Sequence, residues 1–174
     1  MRVTRIILIL ASIALIASFF LPYFARTDEE SNEALTNAVE AVKPFESVDI
    51  SGKDLVKPSL LTYTRIYFQG REEIFRDPTE GLIYAGLYCI IPLFGLLMLI
   101  FALCKKPIPI LIFSILVGIA AYAVHWDFEA RGIISTADVA PATGYYLIYA
   151  CVAILFIVSI CMIVAKSKAK KINT

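Results

Sequence analysis

Residues 77–107 read DPTEGLIYAGLYCIIPLFGLLMLIFALCKKP, and this stretch decides the fold class. It opens with helix-start chemistry. Asp77 is placed to accept hydrogen bonds from the first free backbone N–H groups. Pro78 suits the first helical position, where its missing N–H costs nothing, and Glu80 falls at the third. From Gly81 to Cys104 there is no charged residue. About 20 apolar residues, rising 1.5 Å each, cross a hydrocarbon core of about 30 Å. Pro92 lies mid-run and is expected to kink the helix. Lys105-Lys106-Pro107 then makes a tight basic turn, so the next run returns antiparallel.

Three further runs share this character: about 6–24, 108–126 and 144–165. The chain is 59% hydrophobic with a mean hydropathy of +0.77, above the near-half apolar content of a soluble domain. The prediction is an all-α integral membrane protein, a single membrane domain over 1–174. It has four transmembrane helices and a long loop (26–80) between the first and second. The first run ends Phe19-Phe20-Leu21-Pro22-Tyr23-Phe24. A signal peptide would carry small residues there for cleavage, so a retained anchor is expected.

Charge orients the spans. The N-terminus, the turn at 105–107 and the tail at 166–174 hold eight bases and no acid. The loops 26–80 and 127–143 hold the other eight bases and all fifteen acids. By the positive-inside rule both termini are cytoplasmic and both loops lie outside. The basic tail reads as an anchor beside anionic lipid.

The long loop should have structure of its own. Ser31 can cap a helix carrying Leu35, Val39 and Val42 on one face, with Pro44 ending it. Pro58 marks the start of a second amphipathic helix from Ser59 to Phe68. Phe45, Val48, Ile50 and Leu55 alternate loosely around Ser51-Gly52, as in a small strand pair. With seven bases and twelve acids the loop has a net charge of −5, which argues against nucleic acid as a partner.

No Asp, Glu, Lys or Arg lies inside any of the four runs as bounded, and pumps usually need such groups. Small residues one turn apart, Ala14 and Ser18 or Ser114 and Gly118, suit close helix packing. Cys89, Cys104, Cys151 and Cys161 all lie in or at the ends of apolar runs and read as small packing residues. They form no metal spacing.

All nine tyrosines fall in the outer half. Tyr84/Tyr88, Tyr122/Trp126 and Tyr145/Tyr149 are four apart, as are Phe19/Tyr23 and Phe20/Phe24, and so would share helix faces. They read either as an interfacial aromatic belt or as an outward vestibule. A vestibule would seat the loop's own residues (Tyr63 and Tyr67 among them), a lipid or a partner. His125, Trp126, Asp127, Glu129 and Arg131 cluster where the third run ends. A lone His without exterior Cys makes a poor metal site, and no GxSxG-type nucleophile is present. The reading is structural: His125 and Trp126 anchor the interface, and Asp127 or Glu129 pairs with Arg131 or the loop. No cofactor is assigned.

The run end Phe19-Phe20-Leu21-Pro22-Tyr23, the loop segment Ile50-Ser51-Gly52-Lys53-Asp54-Leu55 and the opening Gly144-Tyr145-Tyr146-Leu147 together resemble a group of small, uncharacterised bacterial four-span membrane proteins. The resemblance implies a four-helix bundle in a bacterial cytoplasmic membrane and no activity. The layout is also similar to claudin-type proteins in topology alone, because residues 26–80 contain no Trp and no Cys.

Three functions are weighed. The first is a non-enzymatic accessory, regulatory or protective protein that binds another membrane or secreted protein through the loop. The second is a carrier or binder of a lipidic or uncharged ligand in the aromatic vestibule. The third is an interfacial enzyme using His125 with Asp127 or Glu129. The first is expected.

Overall fold

The computed structural model describes residues 2–27, 52–131 and 139–172, and they are mostly helical. The chain runs α1 (Arg2–Ser18), β1 (Phe24–Arg26), α2 (Gly52–Val56), α3 (Leu60–Gln69), α4 (Arg71–Ile74), α5 (Pro78–Leu103), α6 (Pro107–Ala130), β2 (Val139–Pro141) and α7 (Thr143–Ile172). Among the described residues, α5, α6 and α7 are long and apolar enough to cross a membrane, and α1 is a shorter apolar helix. The expected helix at 31–44 and the strand residues 45–50 lie outside the described residues.

The long helices are apolar on most sides, and their inward lines mix small residues with large ones. On α5 the inward line is Gly81, Ala85, Tyr88, Ile91, Gly95, Met98 and Ala102. On α6 it includes Ile110, Ser114, Val117, Ala121, Val124 and Phe128. Lipid tails are as apolar as leucine, so close approach and dispersion, rather than exclusion of water, hold such helices together. A Cβ at Gly95 would lie 2.9 Å from Ile16 Cγ1, which places α1 tight against α5. Each of α5 and α7 packs against both α1 and α6. Leu82, Leu93, Leu96, Ile112, Ile119 and Ile157 point outward at 45–61% exposure, an apolar exterior suited to lipid.

Several expected boundaries shift. The first run does not stay helical to Phe24. After Ser18 the chain tightens through i→i−3 bonds (Phe19 N–H to Ile16 O, Phe20 N–H to Ala17 O) and leaves the helix. Pro22 explains this: it supplies no N–H and biases Leu21 away from helical geometry. The segment gains extended pairing instead. Pro22 bridges Ser59, and Tyr23 N–H reaches Pro58 O at 2.8 Å. Phe24, Ala25 and Arg26 pair antiparallel with Pro141, Ala140 and Val139. Phe19/Tyr23 and Phe20/Phe24 therefore do not share a helix face. The expected loop strands are tested only at Gly52 and Leu55, which belong to α2.

The third run continues one turn beyond Trp126. Asp127 and Glu129 thus lie on α6 and not in a loop, and the apolar helices are not free of acids. The last helix runs on through the lysine-rich tail to Ile172, where Lys and Ala are good helix formers. Of the cysteines, only Cys151 packs inside.

The turn between α5 and α6 closes on backbone geometry. Lys105 has φ 58°, the left-handed conformation that usually calls for glycine. Lys106 N–H reaches Phe101 O and Lys105 N–H reaches Ala102 O, the paired bonds of a Schellman cap. Two bases from other helices complete it: Arg5 Nη2 donates to Leu103 O at 3.0 Å, and Lys166 Nζ to Lys105 O at 2.6 Å.

Candidate functional site

The opposite ends of the helices carry the aromatic and acidic chemistry. Asp77 caps α5 by accepting from Thr79 N–H at 2.9 Å, and that bond holds its carboxyl below the usual range. Ser59 caps α3 through a reciprocal bond pair with Thr62. These two caps aim Tyr84 and Tyr88 from α5, and Tyr63 and Tyr67 from α3, toward one another.

The rings form a continuous cluster with Phe75 and Phe128. Tyr63 lies 4.6 Å from Phe128 and Tyr67 5.6 Å from Tyr88, centroid to centroid. Phe75 stacks on Tyr84 at 5.8 Å, and Tyr88 on Phe128 at 5.7 Å. Burial pushes the Tyr63 and Tyr67 hydroxyls up, so they stay neutral at ordinary pH.

At its centre is one ion pair, its carboxylate buried and its arginine part exposed. Asp127 is 7% exposed. Its Oδ1 accepts from Arg131 Nε at 2.8 Å and its Oδ2 from the Tyr88 hydroxyl at 3.1 Å. The Arg131 guanidinium lies 4.0 Å from the Tyr84 ring centroid and 5.5 Å from those of Tyr67 and Phe75. Burial works most strongly against its charge, but the Asp127 bond and charge together with Tyr67 and Tyr84 outweigh it, and the arginine is held charged. Through these cation–π contacts one guanidinium ties together α3, the Phe75 turn, α5 and α6.

A second group lies between α1, α6 and α7. Tyr23 is fully buried, with Tyr145 at 5.5 Å and Phe128 at 5.7 Å. His125 sits 5.5 Å from Tyr145, and Tyr149 4.8 Å from Tyr145. The Tyr23 hydroxyl and His125 Nδ1 are buried and have no hydrogen-bond partner among the described residues.

The sequence-derived candidates thus separate into three sets. Tyr63, Tyr67, Tyr84 and Tyr88 meet around Arg131. Tyr145, Tyr149 and His125 meet around Tyr23. Tyr122 and Trp126, at 66% and 62% exposure, face outward as belt residues do. The space expected of a vestibule is occupied at Tyr84 and Tyr88 by Tyr67, Tyr63 and Phe75. His125 and Asp127 are not brought together, because residues two apart point to opposite sides of a helix. Among the described residues no group of His, Cys, Asp and Glu is placed to hold a metal. Sequence reasoning missed Phe75 and Phe128 and set Tyr23 and Phe24 on a helix face, and of the two acids it offered to Arg131 the structure pairs Asp127. Comparison with protein-family models, with curated proteins and with solved structures finds no match.

Proposed function

We propose that this chain is a four-span protein of a bacterial cytoplasmic membrane, with both termini inside, and that it recognises a protein partner at its outer face without catalysing a reaction. The fourth span is α1. Arg5 meets Leu103 at the basic end of α5, and the residues just after α1 meet Tyr145 and Phe128 at the aromatic end. The segment therefore covers the same depth as the long helices. Val3, Ile6, Leu10 and Phe20 are 55–70% exposed along it, a side suited to lipid.

The observation that carries the partner reading is the docking of α3 and the Phe75 turn on the helix ends around Arg131. A segment held this firmly presents its free side in a fixed geometry, and pre-organisation of that kind lowers the ordering cost of binding. That side offers Phe68, 52% exposed beneath the Arg71 guanidinium, and Ile74, 36% exposed. Aromatic and arginine side chains are the usual anchors of interfaces. Earlier in the same loop lies 28–51, with seven acids and one base, a charge pattern suited to a basic partner. The carrier reading has less support, because rings of the chain's own α3 fill the space beside Tyr84 and Tyr88.

The test is a photo-crosslinking residue at Phe68 in the native membrane. One discrete adduct is expected, and it should disappear when 28–51 is replaced by a Gly/Ser linker. That replacement spares Leu60, Tyr67 and Phe75, which are part of the core. Adducts no more selective than those from a residue placed at Ile157, on the lipid-facing side, sink the proposal.

A further inference from the structure

Beside the strand pair is an open groove of about 700 Å³, with Pro22, Lys57, Pro141, Tyr146, Leu147 and Ala150 among its walls. It lies apart from the Arg131 cluster. Its place along α7 gives it two ends of different character. Leu147 and Ala150 belong to the apolar span that starts at Thr143, and the rise from Thr143 to Ala150 is about 10 Å. Lys57 and Pro141 lie at the other end, in the segments outside that span. The groove therefore crosses the boundary between hydrocarbon and headgroup depth.

Among the described residues, Lys57 is the one charged residue in the lining, and no acid accompanies it there. Lys57 makes no ion pair among the described residues. The N-terminal end of α7 opens on the same side and adds partial positive charge. The walls are also set rigidly. Ala142 N–H is bound to Tyr23 O at 3.0 Å and Gly144 N–H to Pro22 O at 2.8 Å. A Cβ at Gly144 would sit 2.8 Å from Pro22 O, so this residue must be glycine for the turn after α1 to approach α7 and form the groove floor.

From this arrangement we infer that the groove is a binding site for an anionic glycerophospholipid. Its phosphate lies against Lys57 and the start of α7, and an acyl chain lies along Tyr146, Leu147 and Ala150. An occupant complementary to both ends must carry negative charge directly above hydrocarbon, and an anionic lipid does so at this depth. The inference does not rest on the protein-partner reading.

The test uses the full chain with Trp126→Phe and Tyr146→Trp, so that the single tryptophan reports from the groove wall. It is reconstituted in phosphatidylcholine vesicles containing a minor fraction of brominated lipid, either phosphatidylglycerol or phosphatidylcholine. Brominated phosphatidylglycerol is expected to quench more strongly at equal mole fraction. Lys57→Gln should lower that preference about fivefold, the order expected for one basic residue near an anionic surface. Ala150→Phe, which fills the groove, should abolish it while the far-UV circular dichroism is unchanged. Equal quenching by the two lipids overturns the inference. So does a preference that survives Lys57→Gln, or quenching by neither lipid, which would mean that the chain's own 28–51 or a second copy fills the groove.

Discussion

The two ends of the helices are closed by different physics. At the aromatic end, side chains do the work: a buried carboxylate shared by Tyr88 and Arg131, and one part-exposed guanidinium in contact with three rings. At the basic end, backbone carbonyls are capped by exposed lysine and arginine around a left-handed Lys105. Water and lipid headgroups can replace Arg5 or Lys166 at little cost. They cannot reach Asp127 as easily. The aromatic end should therefore be specific and fragile, and the basic end permissive.

The largest effect should come from Asp127→Ala. It strands a partly buried guanidinium and the Tyr88 hydroxyl. Losing one member of a buried pair costs 3–5 kcal/mol, and the 29% exposure of the Arg131 side chain reduces this to about 3 kcal/mol. Thermal unfolding in detergent, followed by Trp126 fluorescence, measures it. A loss below about 1 kcal/mol would show that the two ends are not held differently.

Next come two tyrosines with equal burial and unequal bonding. Tyr88→Phe removes a hydrogen bond to a carboxylate and should cost about 2 kcal/mol. Tyr23→Phe removes a buried hydroxyl with no partner among the described residues and should stabilise by about 1 kcal/mol. Equal losses at the two sites would mean that packing, and not the Asp127 network, holds this end.

The smallest effect is expected at the basic end. Lys105→Gly relieves the left-handed backbone and should stabilise by up to about 1 kcal/mol, offset in part by the freedom glycine adds to the unfolded chain. The same denaturation measurement decides it. A destabilisation would show that the Lys105 side chain matters more than its backbone.

Legibility followed the range of the interactions. Asp77-Pro78 marked the start of α5 and Pro58-Ser59 that of α3, because capping is decided within four residues. Hydropathy reads 6–24 as one helix because it does not sense where Pro22 and a partner strand end it. That strand is more than a hundred residues away at Val139–Pro141 and three residues long, too short to leave a period. Hydropathy ends the third run at Trp126, where the first charge, Asp127, follows. In the fold it is a buried acceptor, and the helix continues to Ala130.

The sequence by itself determined the class of molecule: long apolar helices, basic turn and tail, acid gathered between the first two runs, tyrosines gathered at one end. Each of these follows from composition and spacing, which act locally or through the solvent. Only the tertiary structure decided which tyrosines are core and which face outward. On helices apolar on most sides, little periodic contrast marks an inside. It also decided that Asp127, Arg131 and four aromatic segments converge, and that the turn after α1 meets the start of α7 closely enough to leave a groove. Those are contacts between residues far apart in the chain, and their free energy exists only once the helices have packed.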